Sequence, residues 1–254
     1  MASLELIDTH CHLDAEPLGK DVSGVLNRAR AAEITQIIVP AYDPPSWDRL
    51  LDLAACEGVH LAFGLHPWEA NQPLDLYLLH DTLLAASAVA VGEIGLDFKI
   101  NQPGRARQIQ VVTAQLELAL DLDLPVILHC RSAFEELLQI LRDNGPGLKG
   151  VVHAYSRGPE IAQRFTDLGL HIAFGGALTR PRAQRARRTA ATLPLERILL
   201  ETDAPSIGLE GIAPEETEPR HVRAIAAALA EIRGVSMADI ASQTTANARA
   251  LFRI

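Results

Sequence analysis

Cysteine is scarce in this sequence and forms no recognisable pair. The 254 residues include only Cys11, Cys56 and Cys130, with no CxxC spacing among them. An odd number of widely spaced cysteines argues against the disulfide framework of a small secreted protein. The first ten residues contain Glu5 and Asp8 but no basic stretch, so they do not resemble a signal peptide. We therefore expect a cytoplasmic protein with free thiols.

Long apolar runs and an excess of positive charge are also missing. No run reaches the roughly 20 residues that a membrane span needs, so we expect no membrane partner. The formal net charge of −9 argues against a protein that coats nucleic acid through a global basic field. An enzyme that acts locally on nucleic acid stays compatible with this charge, because bound divalent cations reverse the field at the site. Nothing in the sequence indicates an obligate protein partner.

What the sequence does contain is a regular alternation of short apolar runs and longer amphipathic segments. The apolar runs are rich in Val, Ile and Leu and lack polar alternation, which is typical of parallel strands buried on both faces. The predicted strands are 4–8, 36–39, 60–64, 89–93, 125–129, 150–153, 170–175 and 197–201. The predicted helices are 21–33, 105–120, 133–142, 159–168, 219–233 and 237–252.

Eight such alternations in a chain of this length predict an α/β fold, the (β/α)₈ TIM barrel. A doubly wound open sheet is the alternative. We find no linker, low-complexity tract or repeat that would divide the chain, so we expect a single domain over 1–254.

Histidine and carboxylate side chains are concentrated at the carboxyl ends of the predicted strands, where barrel enzymes place their active sites. A lone histidine there would most often be a hydrogen-bonded part of the structure. Several buried imidazoles and carboxylates together would lose hydration and repel one another unless a cation compensated them. The residues at these strand ends are His10, His12, His66, Glu93, His129, His153, Glu201 and Asp203.

The ligand types and their spacing suggest two divalent ions. Residues i and i+2 of an extended segment point the same way, so His10 and His12 can bind one ion while Cys11 points away. A thiolate ligand at Cys11 is the alternative. Mixed nitrogen and oxygen ligands suit Zn²⁺, Mn²⁺ or Mg²⁺. The predicted ligands are His10, His12, Glu93 and Asp203 for the first ion, and Glu93 as a bridge with His129 and His153 for the second.

Six segments at these strand ends carry a further signal. They are IDTHCHLD at 7–14, GLHPW at 64–68, VGEIGLDF at 91–98, LPVILHCR at 124–131, VVHAYS at 151–156 and LLETDAP at 199–205. Together, in this order, they resemble the TatD family of metal-dependent deoxyribonucleases, and in particular its YjjV-like branch among the amidohydrolase-like barrels. The resemblance implies one or two divalent ions, phosphodiester hydrolysis at DNA ends, and the same six ligands.

Two carboxylates are the predicted catalytic residues, Asp203 and Glu93. Asp203 can orient a metal-activated water and take its proton as general base, or it can be a ligand only. Glu201 lies two residues earlier on the same strand face. It can orient a ligand histidine from behind, or be a paired interior carboxylate.

The predicted substrate contacts are His66, Arg131, Tyr155 and Arg180. His66 can donate to a substrate oxygen or pack against its neighbours, and Arg131 can hold a phosphate or a rim carboxylate. Arg180 opens a basic run whose later members, at 185–188, are interpreted as a solvated helix face. Besides Tyr155, Trp68 is the aromatic residue expected at the rim, which favours a short substrate or a strand end.

Three functions fit these features. The first is a 3′–5′ DNA exonuclease, with DNA or a small phosphoester as substrate. The second is an amidohydrolase-type hydrolase of an amide, a lactone or a phosphomonoester. None of Lys20, Lys99 and Lys149 ends a strand, so no lysine is available to bridge two metals and Glu93 would do so, which favours the first function. The third is a non-catalytic scaffold, which has no use for an open metal site.

Overall fold

In the computed structural model, eight strands within residues 4–254 run parallel in sequence order, each hydrogen-bonded to the next. Residues 1–3, which belong to the predicted domain 1–254 and to the N-terminal stretch compared with a signal peptide, lie outside the described residues. The strands are β1 (Leu6–Asp8), β2 (Ile34–Pro40), β3 (Val59–Phe63), β4 (Ala90–Asp97), β5 (Val126–Arg131), β6 (Gly150–Val152), β7 (His171–Phe174) and β8 (Ile198–Leu200).

The first and last strands meet through the residues that follow them. The backbone N–H of Thr9 donates to the carbonyl oxygen of Leu200 at 3.0 Å, and that of His12 donates to Ala204 at 2.8 Å. These bonds nearly close the sheet on itself. With a helix between successive strands, the result is the predicted (β/α)₈ barrel, and the open doubly wound sheet is ruled out.

Nine α-helices within residues 4–254 surround the barrel. None of these helices is long and apolar enough to cross a membrane. They are α1 (Val22–Ala31), α2 (Pro44–Leu51), α3 (Leu76–Ala85), α4 (Arg105–Asp121), α5 (Phe134–Asn144), α6 (Pro159–Asp167), α7 (Gln184–Thr192), α8 (Val222–Arg233) and α9 (Met237–Phe252). The six predicted helices are all present. Of the helices for which the sequence predicted no residue range, α2 begins with two prolines and a capping box between Asp43 and Ser46.

The barrel interior is filled by a layer to which every strand contributes one apolar side chain. These residues are Ile7, Ile38, Ala62, Ala90, Ile127, Val151, Ala173 and Leu199. Leu251 and Phe252 at the end of α9 pack against the same cluster, close to Ile7 and Leu199 of the first and last strands. The barrel is therefore a packed core, and space for a ligand remains above this layer.

Strand β4 runs four residues beyond its predicted end at Glu93 and ends at Asp97. Its register against β5 shifts between Val91 and Ile94. Gly95, with φ +143°, allows the close approach of β5, because a Cβ built there would overlap the carbonyl oxygen of His129. The longer strand brings Asp97 as well as Glu93 to the rim.

Candidate metal centre

A cavity of about 550 Å³ opens at the carboxyl ends of the strands. Its walls combine the predicted ligands with aromatic, cationic and hydroxyl side chains. They include Tyr42, His66, Trp68, Glu93, Lys99, His129, Arg131, His153, Arg157 and Asp203. The inward-facing positions explain this placement: His129 follows Ile127 by two residues and His153 follows Val151 by two, so the strand alternation carries them to the layer above the apolar core.

Four predicted ligands converge around one point. Nε2 of His10 lies 3.2 Å from Oε2 of Glu93 and 3.3 Å from Nε2 of His12. Oδ1 of Asp203 lies 3.4 Å from Nε2 of His12 and 3.9 Å from Nε2 of His10. Ligands about 2.0 to 2.2 Å from a divalent ion have mutual distances of this size. The structure brings the whole predicted first set together.

The other oxygen of Glu93 faces a second group. Its Oε1 lies 2.8 Å from Nε2 of His153 and 3.0 Å from Nδ1 of His129. These two imidazole nitrogens are 3.4 Å apart. The predicted second set therefore also converges, and Glu93 lies between the two groups with one oxygen in each.

Unpaired polar atoms make the first group fit a cation. Oε2 of Glu93 is buried without a hydrogen-bond partner, although it points at two imidazole nitrogens. Leaving a carboxylate oxygen in this state costs several kcal/mol, of the order expected for a buried uncompensated charge. Clusters of three able to hold a metal ion are found at His10, His12 and Asp203, at His10, His153 and Glu201, and at His66, Glu93 and His129.

The tautomers favour a cation in the second group as well. When Nε2–H of neutral His129 donates to Oδ2 of Asp97, 3.3 Å away, the Nδ1 lone pair is directed at Oε1 of Glu93. Two acceptors 3.0 Å apart repel unless a proton or a metal lies between them. A carboxylate behind a ligand imidazole is the usual arrangement in metal sites.

The pKa values of the buried carboxylate and imidazoles fit a site in which a metal ion replaces a proton. Burial alone would raise the pKa of Glu93, but the charges of His153, His66 and His10 hold that pKa well below its usual range. Burial lowers the pKa of His10 to about 4. Burial disfavours the charged form of His153 too, yet Glu93 raises the pKa of His153 to about 10. An ion bound here would displace that proton.

Asp203 is held in an unusual conformation at the rim. Its φ is +52°, in the left-handed region that non-glycine residues rarely adopt. Its backbone N–H donates to the carbonyl oxygen of His10 at 2.8 Å, and its side chain is 10% exposed to the cavity. Ala154 and Ser132, beside the other ligands, have φ values of +46° and +57°. Such strain is typical of functional sites, where the surrounding structure fixes it.

Two buried carboxylates hydrogen-bond to the segments that carry the predicted ligands His153 and Asp203. Oε1 of Glu201 accepts a hydrogen bond from the N–H of Ala154 and lies 3.8 Å from Nδ1 of His153. Asp8, which the sequence did not single out, accepts hydrogen bonds from the backbone N–H and the hydroxyl of Thr202 at 2.9 and 2.6 Å. Burial raises the pKa of Glu201 to about 8 and that of Asp8 to about 7.

His66 lies closer to the ligands than expected. Its Nε2 is 3.2 Å from Oε1 of Glu93, while its Nδ1 accepts the backbone N–H of Trp68 at 3.2 Å. With Nδ1 occupied as an acceptor, neutral His66 carries its proton on Nε2. The acceptor that faces this proton is Oε1 of Glu93, and an ion bound to that oxygen would leave the Nε2–H to donate to a substrate rather than offer a lone pair to a metal.

Asp97 is a site residue that the sequence reasoning missed. It is fully buried, and its Oδ2 accepts hydrogen bonds from Nε1–H of Trp68 at 2.7 Å and from His129. Nη1 of Arg131 lies 3.7 Å from the same oxygen. The signal that could have found Asp97 was its place in the run VGEIGLDF, an even number of residues after Glu93.

Of the four predicted substrate contacts, the structure brings two to the cavity. His66 and Arg131 line it. Tyr155 does not: it is buried, its ring packs against Phe134 and Phe174, and its hydroxyl donates to the carbonyl oxygen of Gly158 at 2.7 Å. Arg180 does not line the cavity either: its Nη2–H donates to the carbonyl oxygen of Gly208 at 2.6 Å.

The sequence model of the family described as TatD related DNase matches residues 7–253. The chain belongs to the TatD family. It is 39% identical to a relative named uncharacterized metal-dependent hydrolase YjjV, from Escherichia coli strain K12, with 98% of each chain covered. It is 33% identical to the 3′–5′ ssDNA/RNA exonuclease TatD of Erwinia amylovora, over 97% of this chain and 99% of the relative.

The solved structures agree with this assignment. The crystal structure of YjjV, a TatD homologue from Escherichia coli K12, has a TM-score of 0.93 and 38% identity, with 99% of each chain covered. The resemblance seen in the six sequence segments is therefore confirmed, as is the amidohydrolase-like barrel. The chain is a metal-dependent hydrolase of the TatD family.

Proposed function

We propose that this TatD-family hydrolase is a two-metal phosphodiesterase that removes nucleotides from the 3′ end of single-stranded DNA. The observation that carries the proposal is the division of Glu93, whose two carboxylate oxygens each face a separate group of ligands. A relative of similar length is named a 3′–5′ ssDNA/RNA exonuclease, which supports the polarity and the substrate.

We propose the same division of the ligands between two ions that the sequence predicts. His10, His12 and Asp203 would hold one ion with Glu93, and His129 and His153 would hold the other with Glu93. Bound Mg²⁺, Mn²⁺ or Zn²⁺ would supply Lewis acidity and lower the pKa of a water in the cavity.

Side chains of this protein accept the proton of the water and bind the substrate. Asp203 is the general base: its carboxylate borders the cavity, and it stays ionised since the hydrogen bond from His12 and the nearby imidazoles outweigh burial and lower its pKa. His66 donates its Nε2–H towards an oxygen of the substrate. Glu201 positions the loop at Ala154 and the ring of His153.

The cations at the cavity favour a phosphate ester over an uncharged amide or lactone. Lys99, Arg131 and Arg157 line the wall formed by the ends of β4 to β6. A guanidinium holds a phosphate through paired hydrogen bonds, whereas a neutral carbonyl substrate has no need of several charges. We also propose a cytoplasmic location, which the free thiols of Cys11, Cys56 and Cys130 support.

A single assay tests the proposed function. Purified protein with Mg²⁺, Mn²⁺ or Zn²⁺ is given single-stranded DNA with a free or a blocked 3′ end, beside a phosphomonoester and a lactone. We expect nucleotides to be lost from the free 3′ end only. Asp203→Asn should lower kcat by about 100-fold or more, the usual effect of removing a general base.

Asp121→Asn is the matched control, because Asp121 is an exposed carboxylate in the last turn of α4. It should retain the activity of the unaltered protein. Activity restricted to the lactone or the phosphomonoester, or full activity of Asp203→Asn on DNA, would contradict the proposal.

A further inference from the structure

Trp68 is an exposed aromatic side chain at the mouth of the metal centre. It is 42% exposed, and of the large apolar side chains exposed within residues 4–254 it is the one that lines the cavity. Leaving so large an apolar surface open to water is unfavourable. An exposed aromatic ring in a cavity wall therefore points to a ligand with an apolar face.

The indole is fixed in place rather than free to rotate. Its Nε1–H donates to Oδ2 of Asp97 at 2.7 Å, and that carboxylate is fully buried. Asp97 is itself anchored: its Oδ1 accepts the N–H of Lys99 at 2.9 Å, and Gln108 bonds both its backbone N–H and its carbonyl oxygen, at 2.8 and 3.0 Å. Holding the ring in one orientation removes much of the entropy cost of stacking on it.

The rings around Trp68 contact it without stacking parallel to it. His66 and His129 meet it nearly edge to face, at interplanar angles of 84° and 71°. Tyr42 is tilted by 37° with its centroid 6.1 Å away. None of these three contacts is a parallel stack. The Nε1–H of the indole is paired with Asp97, and 42% of the side chain remains exposed for a ligand to cover.

Two cationic side chains line the same cavity as this ring. Arg131 lies against the same oxygen of Asp97, at 3.7 Å, and Lys99 follows Asp97 by two residues; both line the cavity. Their side chains are solvent-exposed, in contrast to the carboxylate between them. A planar apolar face flanked by positive charges matches a nucleotide, which joins a flat base to anionic phosphates.

We propose that Trp68, held by Asp97, is a stacking platform for the nucleobase of the nucleotide at the substrate end. This inference rests on the proposed function and specifies its substrate as a base-bearing phosphodiester. Because every base has a π face, the platform accepts all four bases, in DNA or RNA. Trp68 binds substrate, and Asp97 is a positioning residue for it.

The chain offers a clean fluorescence test, since it has two tryptophans. Trp47 is 4% exposed, packs on Phe63, and donates its Nε1–H to the carbonyl oxygen of Gly64, so it is shielded from the cavity. Protein with and without added Mn²⁺ is titrated with a phosphorothioate-linked oligonucleotide that resists cleavage. We expect quenching by the intact oligonucleotide and much weaker quenching by one with an abasic 3′ end.

Variants assign the effect. Binding by the variants is measured by fluorescence anisotropy of a 5′-labelled oligonucleotide, because Trp68→Leu removes the reporting indole. Trp68→Leu should weaken binding of the intact oligonucleotide about 5- to 150-fold, the range measured for loss of one base–aromatic stack, and leave binding of the abasic one unchanged. Trp68→Phe keeps an aromatic face and should lose less. Asp97→Asn should lower the affinity and reduce the dependence on the base. Tyr77→Leu is the control, since Tyr77 is 87% exposed on α3 and does not line the cavity.

The outcomes separate this inference from the proposed function. Equal binding of intact and abasic oligonucleotides by the unaltered protein, or equal losses for both in Trp68→Leu, would overturn the platform even if DNA is cleaved. Base-dependent quenching in a protein that cleaves no phosphodiester with any of the three metals would uphold the platform and overturn the exonuclease.

Discussion

At the scale of single residues, Glu93 is central to the site, because it is the one predicted ligand common to both groups. Oε2 lies 3.2 Å from His10 and Oε1 lies 2.8 Å from His153. Its carboxylate is 1% exposed, so water cannot replace a missing partner. Without a cation, the buried imidazoles around it are held together mainly by its charge.

We predict that Glu93→Gln lowers the bound metal from two ions to one or none per chain. An amide offers one weakly basic oxygen, which cannot bridge two cations. Metal content after dialysis, measured by elemental analysis, gives the stoichiometry. The rise in Tm on adding Mn²⁺ should shrink in parallel, because ligand binding stabilises the folded state.

Glu117→Gln serves as the control, since Glu117 is exposed on α4. Two ions retained by Glu93→Gln would show that the bridge is unnecessary. A single ion in the unaltered protein would overturn the two-metal arrangement itself.

The sequence predicted that the ligands come together because all of them lie at the carboxyl ends of apolar strands, which meet at one rim of a barrel. Period-two alternation could not place Tyr155, since Ala154 adopts φ +46° and interrupts the extended conformation after β6. Asp97 was missed because the glycines in its strand resemble a strand end. That the six residues converge is observed, and their role as metal ligands stays a prediction.

At the scale of elements, β4 supports the site with both Glu93 and Asp97, and it can do so because Gly95 lets β5 approach. Strands β4 and β5 pair Gly95 with His129 and Asp97 with Arg131. The same pairing therefore aligns Asp97 with a cavity cation and places His129 beside the strand that carries Glu93. A change in this pairing would move all four together.

We predict that Gly95→Ala destabilises the protein by about 2 kcal/mol or more. Its φ of +143° is strained for any side chain, and the new Cβ would collide with the backbone of His129. For a domain of this size, that corresponds to a fall in Tm of about 5 °C or more, measured by thermal unfolding. Metal affinity should fall as well, because β5 must shift.

Gly104→Ala is the matched comparison. Gly104 is the residue before α4, has φ −66°, and a Cβ there meets nothing within 4 Å. It should leave both Tm and metal binding nearly unchanged. If the two alanine variants behave alike, close approach at Gly95 is not what aligns β4 and β5.

All eight strands were recognised from their apolar composition, while their ends were less certain. The predicted β4 stopped at Glu93, whereas pairing with β5 carries it on to Asp97. Helices α2 and α3 went unpredicted; α2 has only eight residues and relies on the capping box of Asp43, and α3 begins with the Asp75 side chain accepting from two backbone N–H groups. Such ends depend on neighbouring strands and on local hydrogen bonds, which periodicity does not reveal.

At the scale of the whole molecule, the distribution of charge matters more than its sum. The net charge is −9, yet a second cavity of about 450 Å³ adjoins the first and shares Arg157 with it. Arg185 and Arg188 of α7 also line this second cavity. Its carboxylates are Glu135, Glu136 and Glu160, of which Glu135 is already paired with Arg164. A strand whose end lies at the metal centre would meet these arginines next.

We predict that the double variant Arg185→Gln and Arg188→Gln raises KM for a long oligonucleotide and leaves KM for a dinucleotide unchanged. Each phosphate that the variant no longer neutralises should reduce the slope of log KM against log salt by about 0.7. Steady-state kinetics at several salt concentrations measure both quantities.

Arg142→Gln with Lys149→Gln removes the same charge from exposed positions outside both cavities. This control should change neither slope nor KM. Equal effects of the two double variants would mean that only the overall charge matters, and an equal rise in KM with the dinucleotide would place these arginines at the cleaved end.

The seam between β1 and β8 gives the order in which the site can arise during synthesis. His10 and His12 leave the ribosome first, whereas Asp203 follows after most of the chain has been made. Their backbones meet only at this seam, where Asp203 donates to His10 and His12 donates to Ala204, both at 2.8 Å. A nascent or truncated chain that ends before residue 203 therefore lacks the proposed general base, and we expect no hydrolysis until the two ends of the sheet have joined.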